Sequence, residues 1–106
     1  GQDYGPPAIE RLTPWIENVY LQNQRISATG AIRLNTWCNG PVPIDLCEIY
    51  EPDGIDFASV FEGLQAIGYD GPLTVHQSAP EDTSLTALDT ATQTATFLRQ
   101  LMSDNT

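Results

Sequence analysis

From Gly54 to Gln77 the apolar pattern changes period once. Phe57, Val60, Phe61, Leu64 and Ile67 recur at helical spacing. Asp56 precedes them and can cap the helix by accepting from an orphan backbone N–H. Gly68 stands where a helix closes in the left-handed conformation, and Tyr69-Asp70-Gly71 reverses the chain. Pro72 opens a short strand, where a missing N–H does least harm. Leu73, Thr74 and Val75 then run into His76 and Gln77. The pattern predicts one helix, one turn and one buried strand with polar residues at its C-terminal end. Parallel α/β folds place their chemistry there.

The rest of the chain is read against that unit. Pro6-Pro7 opens a short helix with Ala8, Ile9 and Leu12 on one face, and Pro14 ends it. Trp15 is expected to anchor on the next strand. Ile16–Gln22 reads as that strand and ends in the polar cluster Gln22, Asn23, Gln24 and Arg25. Residues 26–54 are long for a βα loop, which usually has about two to six residues. Ala31–Trp37 and Ile44–Tyr50 alternate like strands, with the hairpin signal Asn39-Gly40 between them. Pro41 and Pro43 confine the second arm to an edge. The segment is expected to be an inserted hairpin that covers an active site or touches a partner subunit. After a polar loop, Ser78–Ser84, a final helix is expected. Thr83 or Ser84 would cap it, and Leu85, Leu88, Ala91, Ala95, Leu98 and Met102 would be its buried stripe. The tail Ser103–Thr106 is expected to fray.

Length sets a limit on all of this. A chain of 106 residues is enough for one small core. A complete (β/α)8 barrel needs about 250 residues. The chain starts on Gly1 without a Met, which favours a fragment of a larger protein. Four basic and fourteen acidic residues give a net charge of −10, which repels nucleic acid and anionic membranes. No apolar run approaches the ~20 residues that span a bilayer. Cys38 and Cys47 could pair across the hairpin or stay reduced, as in a cytoplasmic protein.

The run Gly54–His76, with Ile55-Asp56-Phe57, Leu64 and Gly68-Tyr69-Asp70-Gly71, resembles the last helix–strand unit of the sugar phosphate isomerase/epimerase family. Ile16–Arg25 resembles the preceding strand. The resemblance implies a xylose-isomerase-like TIM barrel, of which residues 1–106 would be the last βα units, a single partial domain. It also implies carbohydrate metabolism, with a divalent metal (Mn, Mg or Zn) on two earlier carboxylates, a penultimate-strand His and a last-strand Glu. By spacing, those last two positions fall on Tyr20 and His76, so both ligands depart from the pattern. An imidazole binds Zn²⁺, Mn²⁺ or Fe²⁺, or serves as a base near neutral pH.

The expected function is therefore that of an isomerase/epimerase-like protein. It would move a proton next to the carbonyl of a small sugar or polyol. His76 is the candidate catalyst. Tyr20, Gln22, Asn23 and Arg25 are the candidate substrate-binding residues, with Arg25 offering a guanidinium fork. Two alternatives stand beside it. One is a non-catalytic sugar-binding member without its metal site. The other is a structural fragment held in solution by self-association. The expected partners are a small sugar and either further copies of the chain or the remainder of a parent chain, with neither nucleic acid nor membrane. Glu48, Glu51, Asp53, Glu81 and Asp82 read as solvated surface.

Overall fold

Helix α2 (Phe57–Ala66) forms where the apolar spacing places it. Asp56 caps it, accepting from the Ser59 N–H at 3.2 Å and from the Ser59 hydroxyl at 2.8 Å. Beyond the helix Gly68 takes a φ of 69°, a conformation that needs no Cβ. The computed structural model that shows this describes residues 5–76 and 84–104. Gln77, the Ser78–Ser84 loop up to Thr83, Glu81, Asp82 and the tail residues 105–106 lie outside the described residues.

The Ser59 side chain, then its backbone N–H, holds the Asp56 carboxyl below its usual range. A carboxylate depressed in the folded state stabilises that state above the unfolded value of about 4. The contribution is lost as pH falls through the lower, folded value. Asp56→Ala is expected to cost about 1 kcal/mol at pH 7. The gap to wild type should close in acid. Urea unfolding of both proteins at pH 7 and pH 2.5 measures it; a gap that persists in acid contradicts the cap.

Two segments do pair in parallel. β1 (Val19–Leu21) lies beside β5 (Leu73–Val75), with Val19 opposite Leu73 and Leu21 opposite Val75. The ladder continues as the His76 N–H donates to the Leu21 carbonyl at 2.8 Å. β1 is shorter than the predicted Ile16–Gln22. One face of the pair packs on α2 and on α3 (Ala87–Asp104). Leu21, Ile49, Phe57, Phe61 and Leu98 form the buried core, with Val19, Leu73, Val75 and Phe97 against it.

The TIM-barrel expectation is overturned. After β1 the chain does not enter a crossover helix. It runs into β2 (Asn23–Ile26), β3 (Ile32–Thr36) and β4 (Gly40–Cys47), an antiparallel sheet of order β2-β4-β3. The described residues hold one two-stranded parallel sheet and one three-stranded antiparallel sheet, with no barrel-like alternation of strand and helix. The cause lies in residues 26–54. The hairpin there gives the polar run after β1 an antiparallel partner, so Asn23 pairs with Cys47 and Arg25 with Asp45.

The hairpin itself is present, with different details. Its turn is Trp37-Cys38-Asn39, and Gly40 opens β4 with a φ of 63°. β4 is the central strand and not an edge. The Ser27 N–H donates to the Pro43 carbonyl at 3.1 Å, so residues 41 and 43 aim their backbone polar groups at the β2 side. β2 ends at Ile26, so the missing proline donors remove little from the ladder. Cys38 is exposed and Cys47 buried, and both are free.

Helix α3 turns a different face inward from the one its leucines suggest. Thr86 and Asp89 cap it reciprocally, at 3.1 and 2.8 Å, in place of the expected Thr83 or Ser84. Thr90, Thr94 and Leu98 are its buried residues, while Leu88 is 75% exposed and Met102 also lies outside. Thr90 can be buried because its hydroxyl donates to the Ala87 carbonyl at 3.0 Å, leaving the methyl to pack. Short α1 (Pro6–Leu12) lies against α2 through Ile9. Trp15 follows on a 3-10 turn and is 73% exposed, so it anchors no core. Among the described residues no helix is long and apolar enough to cross a membrane.

Candidate functional site

Strand alternation builds the site. Val19, Leu21, Leu73 and Val75 face the helices, so Tyr20, Thr74 and His76 are left on the opposite face of the parallel pair. All three are exposed. The Tyr20 hydroxyl and His76 Nδ1 are 2.7 Å apart. Their rings meet edge to face, with centroids 5.7 Å apart and planes at 86°. Residues 56 positions apart in sequence are thus one hydrogen-bonded pair at the C-terminal end of two parallel strands.

The pair has a useful symmetry. With the proton on Nδ1, the imidazole donates to the Tyr20 oxygen. Nε2 then offers a lone pair outward, and the phenol offers its O–H. With Tyr20 donating to Nδ1, Nε2–H becomes the outward donor and the phenol oxygen the outward acceptor. Either tautomer presents one donor and one acceptor to solvent. Uptake of a proton at Nε2, loss of the outward phenol proton and transfer of the Nδ1 proton along the bond together exchange them.

The other predicted binding residues do not join this pair. Asn23 is 1% exposed and fully used by the backbone. Its Nδ2 donates to the Glu48 and Glu51 carbonyls at 2.9 and 3.1 Å, and its Oδ1 accepts from the Ile55 N–H at 3.0 Å. It is a structural clamp. Arg25 lies on β2 in the other sheet, with a loose ion pair to Glu51 at 3.9 Å. Gln22 follows β1 directly and is half-buried. Gln24 and Arg25 line a separate groove of about 680 Å³ beneath the hairpin, with Leu34, Trp37 and Asp53. Neither Tyr20 nor His76 lines it. Thr74 is the residue that sequence reasoning missed. The period-2 alternation that buries Leu73 and Val75 puts it on the face of His76.

The divalent metal implied by the resemblance does not fit these residues. The two positions hold a phenol and an imidazole nitrogen already bonded to each other. Among the described residues no group of three or more His, Cys, Asp or Glu comes together as a ligand set.

No family model, curated protein or solved structure matches this chain.

Proposed function

We propose that the outer face of β1 and β5 binds a small hydroxycarbonyl compound, a sugar or related polyol derivative, and that Tyr20 and His76 shift a proton on it. The observation that carries this is the 2.7 Å bond between the Tyr20 hydroxyl and His76 Nδ1 on an exposed face. Such a compound carries a carbonyl oxygen that needs a donor, beside an acidic C–H that needs a base. The substrate class is supported by the resemblance of Gly54–His76 to the sugar phosphate isomerase/epimerase family. No metal step enters.

The chemistry balances on the pair alone. His76 Nε2 takes the proton from the carbon beside the carbonyl, while the Tyr20 O–H gives its proton to the carbonyl oxygen. An enediol forms. The Nδ1 proton then passes to the phenolate, which leaves a neutral phenol and an imidazole protonated at Nε2. To finish, Nε2 returns its proton to the neighbouring carbon and the phenol passes its proton back to Nδ1. The phenolate oxygen takes an O–H proton from the enediol, which completes an isomerisation and restores the pair. Return to the opposite face of the same carbon, after the enediol has turned over, gives an epimerisation.

A second reading has one observation in its favour. Arg25 lies in the other sheet and Asn23 is buried, so no charged side chain of the predicted set stands beside the pair. That suits a non-catalytic sugar-binding surface. His76 is the chain's single histidine, so its ring nitrogens report without interference. Titration with an aldose and ketose panel, with and without phosphate, should shift the His76 ¹⁵N resonances saturably. In D₂O the bound sugar should gain deuterium at the carbon beside the carbonyl. Saturable binding without deuterium uptake selects the second reading. No resonance shift at tens of millimolar sugar excludes both.

A further inference from the structure

We propose that β3 is a homodimer edge, at which two copies of this chain pair antiparallel about a two-fold axis at Leu34. The backbone of β3 sets the register. Residues 41 and 43 of β4 point toward β2, as the Ser27–Pro43 bond shows, so residues 42 and 44 point toward β3. Their partners Leu34 and Ile32 are therefore turned inward to β4, and Arg33 and Asn35 aim their N–H and C=O groups at the open edge. A two-fold axis at Leu34 sets Arg33 against the partner's Asn35 and Asn35 against the partner's Arg33. All four outward groups on each copy are then paired. Leu34 meets the partner's Leu34 in the non-hydrogen-bonded position, where Cα atoms approach to about 4.5 Å.

Three further observations favour a second copy as the occupant. The first is charge. Two chains of net charge −10 repel, so they can meet only where charge is missing. Register and alternation place Ile26, Ile32, Leu34, Val42, Ile44 and Leu46 on one face of this sheet, with no charged side chain among them. The second is the nature of the edge. Natural edge strands are guarded by lysine, proline or bulges, and Ile32–Thr36 has neither lysine nor proline. Its one charge, Arg33, faces a neutral asparagine in this register. The third is exposure. Ile32 and Leu34 on β3 are 41% and 42% exposed, and Trp37 just beyond the strand is 96% exposed. The proposal does not depend on the Tyr20–His76 site.

Sedimentation velocity from 1 to 100 μM tests it. The wild-type chain should run at twice 11.6 kDa. Leu34→Arg sets two like charges on the axis and should raise the dimer dissociation constant about 100-fold or more. Asn35→Pro removes an outward N–H only and should do the same while far-UV circular dichroism is kept. Leu34→Cys in a Cys38→Ser background should form an interchain disulfide under mild oxidation without denaturant, because the axis brings the two Cα atoms within bridging range. A wild-type chain that stays monomeric at 100 μM overturns the proposal and leaves the edge to a different partner. So does a dimer that survives both Leu34→Arg and Asn35→Pro, or a Leu34→Cys protein that does not cross-link.

Discussion

Asn23→Leu should lose about 3 kcal/mol or more of stability, enough to lower the melting temperature by roughly 15 °C in a domain this small. The side chain is 1% exposed and makes three backbone hydrogen bonds of 3.1 Å or less. Leucine fills a similar volume and supplies none of them. The Glu51 carbonyl and the Ile55 N–H would lose their Asn23 partner, at about 1–3 kcal/mol each before relaxation, while the Glu48 carbonyl would still accept from the Glu51 N–H. Those groups belong to the loop that joins β4 to α2, so the clamp fixes the antiparallel sheet against the helical side. Asn23→Asp is the sharper variant. It keeps an acceptor for Ile55 but turns a carboxylate oxygen toward two carbonyls, so its loss should be greatest above the carboxylate's pKa. Gly54→Ala should act through the same point, because its Cβ would strike the Asn23 amide and come within 2.9 Å of the Gln24 carbonyl. Urea unfolding of the three variants measures the effect. Losses below 1 kcal/mol for Asn23→Leu would show that the loop finds other partners.

The clamp explains part of what the sequence concealed. Gln22-Asn23-Gln24-Arg25 has the look of a polar strand end, since four polar residues in a row give no period of 2. The extended conformation of Asn23, Gln24 and Arg25 is imposed by β4, whose paired residues lie 20 to 24 positions away in the chain. A buried Asn is legible only once its backbone partners are known. The helix–turn–strand of residues 56–76 needed no such partner. Its cap, its apolar spacing and its glycine act within a few residues of one another, and the structure keeps each of them. Between these extremes lies α3. Its leucines at 85 and 88 suggested one face, yet the helix buries Thr90 and Thr94, whose hydroxyls can bond within the helix. The signal lies in the i, i+4 spacing of Thr90, Thr94 and Leu98, residues that polarity alone would divide between surface and core.

The barrel expectation failed for a similar reason. One parallel pair with a helix packed on it is common to many α/β arrangements, and local pattern in Gly54–His76 cannot choose among them. The choice was made by residues 26–54, whose antiparallel sheet takes the place of further alternation. The Tyr20–His76 contact forms all the same, because it needs only the pair of strands. Alternation and the parallel register are sufficient to bring Tyr20 to His76. They do not bring Arg25 there.

If the proposed chemistry holds, His76→Ala should lower the rate of deuterium uptake into the sugar by about 10²–10⁴-fold, the usual cost of removing a positioned acid–base group. Tyr20→Phe should fall almost as far, since it removes the O–H that the carbonyl oxygen needs and frees the imidazole to choose its tautomer. If Tyr20 only packs against the imidazole, Tyr20→Phe would instead exchange deuterium at the wild-type rate. Melting temperatures should hardly move, because Tyr20 is 59% exposed, His76 is exposed and neither is part of the Leu21–Phe57–Leu98 core. Arg25→Ala, in the other sheet, should leave both the rate and the apparent KM of the exchange reaction unchanged. Three rates, three KM values and three melts decide the assignment. If His76→Ala melts early while its folded fraction exchanges deuterium at the wild-type rate, the imidazole is a structural partner of Tyr20. If Arg25→Ala raises KM, substrate reaches across both sheets, and the site is larger than the pair.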